Sequence, residues 1–196
     1  MEISINETQW KVFKALLDSK ESLSIREIMD KSNVDHPMVM ATLMYGQEQG
    51  WLTIEEQSRE ELLPSETAEE QMKLGFPERR ILPSLAAKGC IAMRHLAQIA
   101  KEKGIPMNEV IKWGSMRGWV EKDNGDLAIT EKGREALDQF DDDERAMQLA
   151  IKRGTVFLDE LLLHKIDVAR VKKLLRNRSS IAKIKTRTIR VATINI

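Results

Sequence analysis

Apolar positions recur along this chain as three successive sets of helical stripes, each ending in an alternating run. In the first set, Trp10, Phe13, Leu16 and Leu17 return at helical spacing behind Asn6, a residue suited to cap a helix start. Ser24 followed three residues later by Glu27 is a capping-box pattern, and Ile25, Ile28 and Met29 share the inner face of the helix it opens. Asp35 caps a third helix, with Pro37 in its first turn and Val39, Met40, Leu43 and Met44 on its apolar side. Gly50 ends that helix. Trp51 to Ile54 then alternates like a strand, Glu61-Leu62-Leu63 reads as the strand that pairs back with it, and Ser65 to Leu74 reads as a closing helix.

The order returns twice. Pro77 to Ala87, Met93 to Ala100 and the segment opened by Pro106 are helical by spacing, with Ile81, Leu82, Leu85, Leu96, Ile99, Val110, Ile111 and Trp113 inside. Asn124-Gly125 between two alternating runs predicts a tight hairpin, and Thr130 caps a helix from Glu131 to Phe140. Gly118-Trp119-Val120 aligns with Gly50-Trp51-Leu52, each after a third helix. In the last set, the acids Asp141 to Glu144 favour a helix start, Phe157, Leu158, Leu161 and Leu162 form a stripe, and Asp167 caps a basic helix from Val168 to Arg178. Ile181 to Ile196 reads as one or two strands.

Three short helices followed by a two-stranded ribbon is the order of a winged helix, whose second and third helices make the helix-turn-helix and whose ribbon is the wing. The predicted fold class is mainly α with small β-hairpin wings (α+β), in three tandem winged-helix domains. These span residues 1–75, 76–140 and 141–196, the last basic and truncated in its wing. Between the first two lies Gly75-Phe76-Pro77-Glu78-Arg79-Arg80-Ile81-Leu82, a helix stop followed at once by a helix start, so its expected role is to set an angle.

Charge changes this picture more than composition does. The 31 basic and 31 acidic residues of the 196 balance, yet from His164 to Ile196 ten basic residues face one acid, Asp167. The remainder is therefore net acidic by nine, and the basic end is suited to hold a polyanion. Lys172, Lys173 and Arg176 fall on one side of a helix, while Lys183, Lys185 and Arg187 share one face of a strand. The candidate nucleic-acid contacts are Arg170, Lys172, Lys173, Arg176, Arg178, Lys183, Lys185, Arg187 and Arg190. The first recognition-helix candidate, His36 to Gln49, carries no Lys or Arg, which argues against direct reading of a DNA groove there.

The joint resembles one family in particular. Gly75 to Leu82 is similar to the Gly-Leu-Pro-Glu-Arg-Arg joint, followed by leucines, in the N-terminal region of the archaeal and eukaryotic-cytosolic phenylalanyl-tRNA synthetase α subunit. Phe76 and Ile81 are the chief departures. Leu174 to Arg178 and Lys185 to Val191 resemble that family's third winged helix, so the resemblance covers essentially the whole chain. It implies a tRNA-binding region without the class II catalytic core, and hence no catalytic residues here. It also implies that ATP and magnesium serve only that missing core, and that the partners are tRNA and a β subunit in the cytoplasm. The residues alone leave two other readings open: a winged-helix DNA-binding transcription regulator, and a winged-helix scaffold that binds only proteins.

Little else in the chain points to chemistry. His36, His95 and His164 are too far apart in sequence to suggest a metal site, and the lone Cys90 excludes an internal disulfide and reads as a small semi-buried residue. No Gly-rich phosphate loop, no membrane-length apolar run and no basic-apolar leader at Met1 to Gln9 is present. Glu55, Glu56, Glu60 and Glu61 read as a solvated acidic wing, Met29, Met40 and Met44 as core filler, the four Trp as core residues, and Arg79 and Arg80 as surface.

Overall fold

The computed structural model describes residues 4–195 and shows a mixed chain of helices and antiparallel sheets. Met1, Glu2 and Ile3 of the start and Ile196 of the last strand run lie outside the described residues. Two units separate by their internal contacts: Met1–Arg59 with Thr186–Ile196, and Glu60–Lys185.

In the first unit, α1 (Glu7–Ser19) begins where the Asn6 side chain accepts the Gln9 backbone N–H and Gln9 returns the bond. After β1 (Leu23–Ser24), Ser24 and Glu27 form the same reciprocal box at the start of α2 (Ile25–Ser32). Asp35 caps α3 (His36–Glu48), and Pro37 stands in its first turn. Val12, Phe13, Leu16, Ile28, Val39 and Leu43 meet in one core with Leu52 of β2 (Leu52–Pro64) and Ala192 of β7 (Ala182–Ile194). Each such aliphatic contributes about 1.5–3 kcal/mol through burial. The inward stripe of α1 is narrower than its spacing suggests, because Val12, Phe13 and Leu16 already fill the core; Trp10 stays half exposed and Leu17 lies at the margin. Met44 is likewise exposed rather than core filler.

The wing expected of residues 51–63 takes a different form. Glu55 to Glu60 holds no Gly, Asn or Pro to reverse the chain, so Leu52–Pro64 runs on as one strand. Its partners come from far away, in a four-stranded sheet ordered β1-β7-β2-β6, where β6 is the short strand Val156–Phe157. In the first unit Leu23 pairs with Ala192 and Ser24 with Val191. In the second, Glu61 pairs with Phe157 and Leu62 with Val156 of β6.

The second unit continues through α4 (Ala68–Leu74), α5 (Pro77–Lys88), β3 (Cys90–Ala92), α6 (Met93–Glu102) and α7 (Met107–Arg117). Then come β4 (Val120–Asp123), β5 (Asp126–Ile129), α8 (Glu131–Glu135), α9 (Asp142–Arg153), β6, a 3-10 stretch (Leu158–His164) and α10 (Val168–Leu175). The Asn124-Gly125 hairpin forms as expected: φ is 47° and 91° there, positive at both central residues. Two cores form. One gathers Ile81, Leu82, Leu85, Leu96, Val110, Trp119 and Leu127. The other gathers Leu62, Phe76, Ala146, Met147, Leu158, Leu161, Val171 and Leu175. Leu162, read as part of an inward stripe, is exposed, because the 3-10 turn rotates it away from Leu158 and Leu161.

Candidate nucleic-acid interface

The joint is the first place where the fold gathers charge. Gly75, at φ 82°, ends α4, and Pro77 starts α5, which puts Glu78 in the first turn on the stripe of Ile81, Leu82 and Leu85. Glu78 is fully buried. Arg117, the last residue of α7, donates from Nε to Glu78 at 2.9 Å and grips Asp143 of α9 with both terminal nitrogens at 2.6 Å. Arg178, just after α10, grips Glu78 with two bonds of 2.7 and 2.8 Å. Aromatic faces enclose the guanidiniums: Arg117 lies 4.6 Å from the Trp119 ring centre, and Arg178 lies 4.8 and 4.6 Å from those of Phe76 and Trp113. Arg79 bonds Glu144 and the carbonyls of Ala136 and Gln139, so it is a half-buried tie rather than the expected surface residue.

Such burial is tolerable because each charge is met by an opposite one at bidentate geometry. Burial alone would push the Glu78 carboxyl up, but the Arg178 hydrogen bonds and the Arg117 charge hold it below the ordinary range. Asp141 is also lowered: burial opposes, while Arg170, the Asp142 backbone N–H and Arg117 prevail. Asp143 goes the other way, raised by burial and by the neighbouring Glu144 and Asp141 carboxylates against the pull of Arg117. The sequence did carry a signal for this cluster: Glu78 and Arg117 each occupy a position on an apolar stripe, with Arg117 following Val110, Trp113 and Gly114.

The nine basic candidates separate on the same principle. Arg178 is only 2% exposed and spent on Glu78, which withdraws it from any surface. Arg170 is paired with Asp141, and Lys172 and Arg176 share Glu60. In the first unit Arg190 meets Glu56, and Arg187 is exposed and also engaged. Lys173, Lys183 and Lys185 are exposed and form no salt bridge with the described residues. The acidic wing is accordingly not simply solvated, since Glu60 holds two cations and Glu61 is buried. Lys183 and Lys185 line a groove of about 490 Å³ with Leu63, Pro64, Ser65, Glu66, Thr67, Ser179 and Ser180.

Known proteins agree with the resemblance carried by the joint. Three archaeal phenylalanine–tRNA ligase α subunits are similar to this chain. That of Pyrococcus horikoshii is 26% identical over 168 residues, covering 82% of this chain and 32% of the relative. That of Thermococcus onnurineus is 26% identical over 165 residues, with the same coverage. That of Methanothermobacter thermautotrophicus is 28% identical over 155 residues, covering 77% of this chain and 29% of the relative. The match falls on the N-terminal part of those subunits, and the chain spans about a third of their length. No protein-family model and no solved structure matches.

Among the described residues no three His, Cys, Asp or Glu side chains come together to hold a metal ion. No described helix is long and apolar enough to cross a membrane. Cys90 is exposed, not semi-buried, with Sγ 3.7 Å from an Asp126 oxygen. Desolvation at the sulfur and the Asp126 and Asp123 carboxylates push its thiol up, the opposite of what a nucleophile requires.

Proposed function

We propose that this chain is a non-catalytic, tRNA-binding region of a phenylalanine–tRNA ligase α subunit, built as three tandem winged helices and acting in the cytoplasm. The observation that carries the reading is the similarity of about four fifths of the chain to three archaeal α subunits of that ligase. The element order supports the architecture. Helices α1, α2 and α3 precede β2; α5, α6 and α7 precede the β4–β5 hairpin; and α9, the 3-10 stretch and α10 precede β7. Exposed, unpaired Lys173, Lys183 and Lys185 support a grip on phosphates, and Arg170, Lys172, Arg176, Arg178 and Arg190 contribute less because acids already hold them. In this reading the region positions tRNA by backbone contacts, while aminoacylation with ATP and magnesium, and the contact with a β subunit, belong to the rest of the ligase.

The absence of any Lys or Arg from α3 favours shape and phosphate recognition of a folded RNA over groove reading by a DNA-binding regulator. A filter-binding titration of the chain with tRNA at several salt concentrations tests the proposal. Affinity should fall linearly on a log–log plot against salt, and Lys173→Glu should weaken it. Equal or tighter binding of duplex DNA would overturn the reading in favour of the regulator, and no binding to either would favour the protein scaffold.

A further inference from the structure

We propose that the groove between the Leu63–Thr67 turn and the Ser179–Lys185 segment is a phosphate seat, which takes one phosphodiester of a folded RNA strand. The proposal rests on the tRNA-binding reading and names where the backbone is held. Three observations point to the groove. First, the second unit neutralises Arg170, Lys172, Arg176 and Arg178 with its own acids, yet leaves Lys183 and Lys185 unpaired on the wall of one concavity. An unspent cation keeps its full attraction for an external anion, whereas a paired one must first give up its partner.

Second, the rest of the lining supplies hydrogen-bond donors. Ser65 Oγ and Thr67 Oγ1 donate to the Ser180 carbonyl at 2.8 and 3.3 Å, which ties the two turns together. The Ser65 N–H donates to the Ile181 carbonyl, and the N–H groups of Ile181 and Ala182 both turn back to the Arg178 carbonyl. The central amides of those two turns, at Glu66 and Thr67 and at Ser179 and Ser180, donate to no backbone acceptor among the described residues. The Ser179 and Ser180 hydroxyls are likewise uncommitted there, so up to four amides and two hydroxyls accompany the two ammonium groups.

Third, the size and charge balance suit a single group. About 490 Å³ lies within the ~300–1,000 Å³ of small-ligand clefts. Glu66, the one acid on the rim, would repel a second phosphate beside the first.

The test uses the full chain, labelled with nitrogen-15. Inorganic phosphate should shift the amide signals of Glu66, Thr67, Ser179, Ser180 and Lys183, and a tRNA transcript should move the same set. Lys183→Gln with Lys185→Gln should abolish the phosphate shifts and reduce the salt slope of tRNA binding by about 0.7–0.9, the share of one neutralised phosphate. Lys152→Gln with Lys165→Gln, an equal loss of charge outside the groove, should leave the phosphate shifts in place. If the unaltered chain binds no tRNA, the functional reading and the seat fall together. If it binds tRNA while the Lys183/Lys185 variant keeps the full salt slope, or while phosphate shifts signals elsewhere, the seat alone is overturned. Aggregation of that variant with unchanged tRNA affinity would overturn it as well, leaving the two lysines as guards of a strand edge.

Discussion

Arg178 and Lys183 stand five positions apart in one basic run and meet opposite fates. Arg178 is enclosed between Phe76 and Trp113 and held by Glu78. Lys183 stands in solvent beside a groove with no acid bound to it. The planar fork of an arginine can satisfy two carboxylate oxygens while its faces lie on aromatic rings; an ammonium needs water or a ligand around it. Cation type suits each of these two residues to its place, although Lys172, held by Glu60, shows that a lysine of the same run can also be taken up by an acid. Charge density along the sequence is a poor measure of charge offered at the surface.

The comparison breaks most visibly at its buried end. Glu78→Ala leaves Arg117 and Arg178 without their shared partner and should cost about 3–5 kcal/mol. Urea unfolding measures it, and a loss below about 1 kcal/mol would mean that the ionic cluster is not holding the second unit. Arg178→Lys keeps the charge but loses the fork and the stacking, and should cost about 1.5–3 kcal/mol in the same assay.

Asp141→Asn sharpens the comparison through pH. Its carboxyl is lowered in the folded state, so its contribution is complete above the ordinary carboxylate range and is lost as pH falls through the folded value. The stability gap between the parent chain and Asp141→Asn should be widest near neutrality and close in acid; a gap that persisted in acid would show that packing, not charge, is at stake. The smallest effect belongs to the exposed end. Lys172→Ala, which removes a partly exposed pair with Glu60, should cost less than about 1 kcal/mol, and Lys183→Gln should move stability by no more than about 0.5 kcal/mol while weakening tRNA.

Local chemistry made most elements legible. Asn6, Ser24 with Glu27, Asp35, Thr130 and Asp167 all cap the helices they were expected to start, because a cap is decided by side chains within three residues, and Asp141, expected only as part of an acidic run favouring a helix start, caps α9. Long-range pairing was not legible. Nothing near Leu52–Pro64 indicates that its neighbours in the sheet lie beyond residue 155, so a local hairpin was the natural expectation. The basic site was legible as a region but not as residues, since which lysines stay free depends on where Glu56, Glu60 and Asp141 arrive. Glu78 was visible as part of a joint motif, yet its burial becomes apparent only when the stripe it shares with Ile81, Leu82 and Leu85 is counted.

The ionic cluster also has a history in time. Its bonds close loops of 26 residues between Arg117 and Asp143, 39 between Glu78 and Arg117, 65 between Arg79 and Glu144, and 100 between Glu78 and Arg178. A chain growing from its N-terminus makes Glu78 long before it makes the arginine that completes its shell. Until then Arg117 alone meets the acid and its remaining lone pairs need water, so α5 seals its inner face completely only once Arg178 has emerged. The second unit should then close late and in one step, and its slowest folding event should be the arrival of a single guanidinium.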